Sequence, residues 1–215
     1  MSVDVILPCL NERGALPWVL ARIPAGMRPL VVDNGSTDGS VEIAQRLGAA
    51  VVVAPVKGYG AACAAGLEAS AAEVVVMLDC DASVDPTELA GLVEPVLRGE
   101  LDLVVGRRVA AGPGAYPLHL RIANRELARR LSRRTGTRIV DCGPVRVARR
   151  QLLLDLQLRD RRSGYPAETV VRAAAAGHRI GQLPITYRVR TGRSKVTGTP
   201  LGIWRAVRDS SAALR

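Results

Sequence analysis

The 215-residue chain contains no phenylalanine, only two tryptophans and four tyrosines. So few rings leave little for unpaired bases to stack on, which argues against a single-strand nucleic-acid module. There are two histidines, His119 and His178, too few for a multi-histidine metal centre and a poor start for a histidine triad. Cys9, Cys63, Cys80 and Cys142 form no CxxC pair. Neither a zinc site nor a disulfide framework is expected, and the chain reads as a reduced, cytoplasmic protein. No apolar run reaches the roughly 18 residues of a membrane span; the best, 49–53 and 74–78, are strand-length. No basic n-region leads into a signal-like apolar segment, and no Gly-Lys-Ser/Thr phosphate loop is present.

What remains is an ordinary globular composition, 48% hydrophobic and 23% charged, enough to build a core without covalent staples. The net charge of +10 is unevenly placed. Residues 1–105 carry 6 basic and 14 acidic side chains, a net of −8; residues 106–215 carry 24 and 6, a net of +18. A basic half attracts phosphates, whether of nucleotides, nucleic acid or an anionic membrane surface. The plainer alternative is an arginine-decorated, solvated face.

The first half alternates β-branched runs with helical stretches. Strands are predicted at 3–7, 30–32, 50–54, 74–78 and 101–105. Helices are predicted at 15–23, 38–47, 61–69 and 86–98, with Gly48 as a stop and Pro86 in a first turn. This pattern implies βαβ units, an α/β fold and a mostly parallel sheet. Ligands of such sheets sit beyond the carboxyl ends of the strands. The second half is less regular. Helices are predicted at 118–134, 165–176 and 200–214, with a strand at 180–189 and a basic loop at 191–198. In the first of these helices Leu120, Ala123, Leu127 and Leu131 form an apolar stripe flanked by Arg121, Arg125, Arg129, Arg133 and Arg134. Such a helix can lie in a membrane interface or serve as an ordinary surface or dimer helix.

The strand-end loops hold the polar residues. Asp79 and Asp81 flank Cys80 after the fourth strand. Two carboxylates at this spacing suit Mg²⁺ or Mn²⁺ held together with substrate phosphates, although Asp81 could instead cap a turn. Asp33 ends the second strand, where a carboxylate commonly binds ribose; an Asx turn is the alternative. Gly58-Tyr59-Gly60 opens a helix beside Lys57 and can aim backbone N–H groups at phosphate or form a tight turn. Gly192-Arg193-Ser194-Lys195, with Arg188 and Arg190, can clamp a pyrophosphate or form a solvated loop.

Taken together and in order, several segments resemble the family 2 inverting glycosyltransferases, nearest the polyprenyl- and dolichyl-phosphate sugar synthases. They are Val5-Ile6-Leu7-Pro8 with Asn11-Glu12, Val31 through Gly39, Lys57-Gly58-Tyr59-Gly60, Leu78-Asp79-Cys80-Asp81 and Asp102 with Gly106-Arg107-Arg108. Later come Asp141-Cys142-Gly143-Pro144-Val145-Arg146, Gly164-Tyr165-Pro166-Ala167-Glu168 and Tyr187-Arg188-Val189-Arg190 through Ser194-Lys195. The resemblance implies a GT-A fold over one domain, with residues 1–106 binding a UDP- or GDP-linked sugar and 107–215 the acceptor. It implies that Pro8, Asn11, Glu12, Asp33, Asn34, Lys57, Gly58, Asp79 and Arg108 hold the donor. Asp79 and Asp81 would hold Mg²⁺ or Mn²⁺. Arg146, Arg188, Arg190, Ser194 and Lys195 would meet phosphates of donor or acceptor. The catalytic set would be Asp81, Asp141 and Glu168, with the last two as candidate bases for a hydroxyl acceptor or, alternatively, arginine partners in structural ion pairs. A lipid-phosphate acceptor, already ionised, would need no strong base, and the protein would then work peripherally at the inner membrane face. Two positions depart from the family pattern: Asn34 stands where a second acid is common, and Ser83 where a glutamine is common. Competing readings are a glycosyltransferase with a soluble hydroxyl acceptor, a sugar-1-phosphate nucleotidyltransferase and a basic nucleic-acid-binding protein. Nucleic acid is not the expected partner.

Overall fold

The computed structural model describes residues 1–192 together with 208 and 209. The final helix expected at 200–214, and the site residues Ser194 and Lys195, lie outside these, apart from two helical residues at 208 and 209.

Seven strands form one sheet: β1 (Val3–Cys9), β2 (Met27–Asp33), β3 (Ala50–Val53), β4 (Val74–Met77), β5 (Leu103–Ala110), β6 (Val145–Arg149) and β7 (Ile180–Tyr187). Their order across the sheet is β3-β2-β1-β4-β6-β5-β7. All neighbours are parallel except β6, which runs antiparallel to both β4 and β5. The helices are α1 (Leu16–Leu20), α2 (Ser40–Arg46), α3 (Tyr59–Ala69), α4 (Leu89–Leu97), α5 (Leu118–Thr135), α6 (Arg150–Asp155) and α7 (Tyr165–Ala175). A 3-10 turn at Pro86–Glu88 leads into α4.

The central strands are buried on both faces, so β4 reads as an unbroken apolar run and β1 as one broken only by Asp4, which is paired with Arg28. Strand periodicity then divides the core in two. Val3, Val5, Leu7 and Cys9 of β1, with Val74, Val76, Leu78 and Cys80, pack under α1, α2 and α4. Ile6, Val75 and Met77 point the other way, into a layer with Ala62 and Cys63 of α3, Ala128 and Leu131 of α5, Leu153 of α6 and Val170 of α7. Helix α5 uses a slightly different stripe from the one expected. Ala128 and Leu131 are buried and Leu120, Asn124 and Leu127 half-buried, while Ala123 faces solvent. The first helix is also shorter than the pattern suggests. Strand β6 and helix α6 have no counterpart in the sequence-based expectation, because Arg146 interrupts the apolar run of β6 and Gly143-Pro144 precedes it.

At the edge remote from the site, Arg179 fastens the start of β7 to that of β5. Its backbone N–H, Nε and Nη2 donate to Asp102 at 2.7, 3.0 and 2.7 Å. These bonds hold the Asp102 carboxyl down to about 2. A carboxyl lowered on folding stabilises the native state above its unfolded pKa of about 3.9, and that stabilisation is lost as pH falls toward the folded value. The Tm gap between wild type and Asp102→Asn should therefore be full at neutral pH and shrink steadily below about pH 4. The pair is largely exposed, so the gap should be small; thermal denaturation across pH measures it, and a gap that widens in acid would refute the assignment.

Candidate active site

The C-terminal ends of β1, β2, β4, β5 and β7, and the start of the reversed strand β6, all meet at one edge of the sheet. Nearly every residue singled out from the sequence is gathered there. Reversal of β6 is what brings the Asp141–Arg146 segment to the same edge as Asp79 and Asp81.

The first two loops interlock through side-chain bonds to backbone. Asn11, with φ of 55°, takes its N–H to Ser36 Oγ at 2.9 Å and accepts from Thr37 N–H at 2.8 Å. The Glu12 N–H donates to Ser40 Oγ at 3.0 Å. Asp33 makes the Asx turn, accepting from the Gly35 and Ser36 N–H groups at 3.1 and 3.0 Å. Asn34 donates to Val56 O and accepts from Gly58 N–H, at 2.9 and 2.7 Å, tying the β2 loop to the β3 loop. An amide does this double duty where a carboxylate could only accept, which accounts for asparagine at this position. Lys57 is exposed, its stem beside Gly35. The Pro8 carbonyl accepts from the Cys80 thiol at 3.2 Å.

At Gly58-Tyr59-Gly60 the N–H groups of both glycines are taken by protein. The Gly60 and Ala61 N–H groups at the start of α3 donate to the carbonyls of Arg162 and Arg161, at 3.0 and 2.9 Å. The helix start is thus stoppered by the loop before α7. The glycines are there for close approach: a Cβ at Gly58 would lie 2.1 Å from Arg161 O, and one at Gly60 2.4 Å from Asp160 O.

At the centre stand Asp79 and Asp81. Asp79 Oδ1 is buried without a hydrogen-bond partner. Burial first, and the Asp81 charge second, raise the Asp79 carboxyl to about 7, against the opposing pull of Tyr59 and Arg146. Asp81 caps its own turn through the Ser83 N–H at 2.9 Å, and its Oδ2 meets Arg190 Nη1 at 3.2 Å. Arg190 reaches Glu12 Oε1 with Nη2 at 3.4 Å. One guanidinium therefore bridges the β1 and β4 loops. The segment after β7 that carries it is pinned by Arg188 N–H on Ser83 O and Thr191 N–H on Asp81 O, at 2.7 and 2.8 Å. Ser83 Oγ is a second buried, unpartnered polar atom here. Cys9 and Cys80 lie side by side beneath these loops. Hydrogen bonding from Cys80 holds the Cys9 thiol below its usual range, and the same contact pushes Cys80 up.

Five residues expected at a ligand are instead engaged with protein. Arg108 grips Asp141 bidentately and adds its own N–H to Asp141 Oδ2 at 2.6 Å. It also donates to Asn124 on α5 at 2.9 Å and stacks 4.5 Å over the Tyr116 ring and 5.5 Å over Tyr187. Glu168 accepts from Arg159 N–H, Asp160 N–H and Arg172 Nε on both oxygens, shaping the loop that stoppers α3. With both oxygens doubly occupied, neither carboxylate is set up as a base; each acts as a strap. Arg146 is fully buried and donates to Gly143 O, Pro166 O and Cys142 Sγ. Arg188 stands away from Asp81, beside Asp85 at 3.6 Å and over Trp18 at 5.4 Å. Asn124 and Asp160 were not anticipated. Asp160 accepts from the Arg162 and Gly164 N–H groups, at 2.7 and 3.1 Å, and sat hidden in a basic run.

The chain is similar to known proteins of one family. The model for glycosyl transferase family 2 matches residues 4–156. A glycosyltransferase of Mycobacterium tuberculosis is 48% identical, covering 97% of this chain and 95% of its own length. A dolichyl-phosphate hexose transferase of Haloferax volcanii is 34% identical over 91% and 86%. Among solved structures, glucosyl-3-phosphoglycerate synthase from M. tuberculosis in complex with Mn²⁺, UDP and glucosyl-3-phosphoglycerate superposes with a TM-score of 0.77. It is 27% identical and covers 99% of this chain and 78% of that one. With carboxylates at the sheet edge and a GT-A sheet behind them, the chain belongs to glycosyl transferase family 2 and is a glycosyltransferase.

Proposed function

We propose that the protein transfers a sugar from a nucleoside diphosphate to a phosphate acceptor, a polyprenyl phosphate presented at a membrane surface. The observation that carries the acceptor class is the engagement of Asp141 and Glu168. A hydroxyl acceptor needs a base to take its proton; a phosphate is ionised at neutral pH and attacks the anomeric carbon unaided. The donor's diphosphate departs from the opposite face, inverting the centre.

The residues fit a divalent cation. Asp79 Oδ1 is buried and unpartnered, and Asp81 Oδ2 already faces a positive charge, that of Arg190. Among the described residues no group of three or more His, Cys, Asp or Glu could hold a metal. Two carboxylates completed by substrate phosphate are the arrangement Mg²⁺ and Mn²⁺ favour. Bound there, the cation would neutralise charge on the leaving diphosphate. The chain's own part is to hold the two carboxylates in fixed loops, position the ribose beside Asp33 and supply Arg190 as a further cation. The solved relative holding Mn²⁺ and UDP supports this reading.

Support for a lipid comes from the surface. Val109, Leu118, Ile122, Val140 and Val189 are exposed large apolar side chains. All lie on segments that enter or leave the acceptor part of the site edge, interspersed with Arg107, Arg121, Arg125 and Arg138. Apolar and cationic side chains together suit an anionic lipid interface. No helix among the described residues is long and apolar enough to cross a membrane. The relative named as a dolichyl-phosphate hexose transferase favours the same class.

A transfer assay tests it. UDP- and GDP-linked radiolabelled hexoses are offered with polyprenyl phosphate in anionic vesicles or with 3-phosphoglycerate. Label extracted into organic solvent is expected. Label confined to a water-soluble product would overturn the lipid acceptor in favour of the soluble acceptor seen with the solved relative.

A further inference from the structure

The four cysteines fall into two pairs on opposite faces of the sheet. Cys63 and Cys142 belong to the layer under α3 and α7, Cys9 and Cys80 to the layer under α1 and α4. Cys9 and Cys80 also lie at and just beyond the ends of two strands that are in register. Strands β1 and β4 pair in parallel with Ile6 opposite Met77, and the Leu78 N–H still donates to Ile6 O at 3.0 Å. Three residues beyond the last paired positions come Cys9 and Cys80, both packed in one layer. Pro8 has no N–H to continue the ladder; its carbonyl accepts from the Cys80 thiol at 3.2 Å, and Cys80 is also a side-chain hydrogen-bond partner of Cys9.

Neighbouring strands run roughly 4.8 Å apart, inside the window of about 4.4–6.8 Å between Cα atoms that a disulfide can bridge. Both Cβ atoms leave the sheet on the same side, since both side chains sit in one layer. The sheet thus holds the two thiols ready to join, while keeping Cys63 and Cys142 out of reach behind it.

We propose that Cys9 and Cys80 form a reversible intramolecular disulfide that closes the donor site under oxidising conditions. The oxidant is a peroxide. One thiol attacks its O–O bond, giving a sulfenic acid and releasing water or an alcohol; the other attacks the sulfenic sulfur and expels water. Each sulfur gives up one electron overall, the peroxide is reduced by two, and both thiol protons end in the released products. A dithiol reverses the bond by exchange.

The consequence for function rests on the nucleotide-binding reading above. Cys9 lies between Pro8 and the Asn11–Glu12 turn, and Cys80 lies between Asp79 and Asp81. Drawing the two sulfurs to about 2.05 Å pulls the two loops together at their roots. Arg190 depends on the spacing of those loops. The two cysteines are 1% and 2% exposed, so formation should be slow and limited by local opening of the loops.

The test is intact mass and peptide mapping of the full chain after graded hydrogen peroxide, quenched by alkylation. A loss of 2 Da, about two hydrogens, with a linked Cys9–Cys80 peptide that dithiothreitol restores, is expected. Cys9→Ser and Cys80→Ala should each abolish the linked species. Thermal shift with nucleoside diphosphates and Mn²⁺ should then fall at least tenfold in apparent affinity for the oxidised form and recover on reduction. Oxygen adducts without the linked peptide, or a bond through Cys63 or Cys142, would overturn the proposal. So would a linked form that binds nucleotide undiminished. If the linkage forms but the reduced protein binds no nucleotide, the nucleotide-site reading fails and the disulfide stands.

Discussion

Asp81→Ala is expected to abolish metal-dependent stabilisation by the cognate nucleoside diphosphate. Wild type, with nucleotide at about 100 times its Kd, should gain about 2.7 kcal/mol. For a chain of this size that is a rise in Tm of roughly 5–10 °C. In the variant the rise should vanish, and transfer should fall by about 10²-fold or more, the scale of losing one group that stabilises transition-state charge. Asp81 is the side chain where three structural demands meet. It accepts from Ser83 N–H, faces Arg190, and supplies the backbone carbonyl that pins Thr191. Alanine removes the first two and leaves the third, so the loop should keep its path while losing its charge. Arg190→Gln is the companion. It leaves the partly buried carboxylates of Asp81 and Glu12 without their bridging cation, so the metal-free protein should lose stability, and Mn²⁺ should restore more of it than in wild type. If nucleotide plus Mn²⁺ still shifts Asp81→Ala as it does wild type, the cation site lies elsewhere.

Much of this site can be read from the sequence because the strands of the first half are continuous apolar runs bounded by polar loops. Once 3–7, 30–32 and 74–78 are taken as parallel strands, Asn11, Asp33 and Asp79 must share an edge, and they do. The second half resists reading for a physical reason. β6 is a strand buried over its first four residues with an arginine at its second position, and Arg146 is tolerated because carbonyls and a sulfur from two segments converge on it. Local pattern carries no trace of that convergence. The same limit governs Gly58-Tyr59-Gly60. A glycine-flanked helix start is compatible with phosphate or with protein, and only the tertiary fold brings Arg161 and Arg162 to fill it. Spacing finds residues at an edge; it does not tell which of them are already held by a partner.

That distinction is sharpest at Asp141, where the second large effect is expected. Asp141→Ala should destabilise the protein by about 3–5 kcal/mol, the usual cost of stripping one partner from a buried ion pair, lowering Tm by roughly 10 °C or more. The carboxylate is 5% exposed and its partner Arg108 16%. Without it the guanidinium is left beside two aromatic rings and a single amide oxygen, that of Asn124. Asp141 also receives the Arg108 N–H, and its carbonyl accepts from Gln182, so β5, β7, α5 and the approach to β6 are fastened at one point. Asp141→Asn separates a strap from a base. The amide oxygen can still accept from Arg108, so activity below the new Tm should stay within about tenfold of wild type, with KM moving more than kcat. A general base would lose about 10²–10⁴-fold in kcat. Replacing both partners, as Arg108→Met with Asp141→Leu, should recover much of the stability lost in Asp141→Ala, because no charge is then left buried. A double variant no more stable than the single one would mean that the aromatic stacking on Arg108, rather than its charge pairing, anchors this corner.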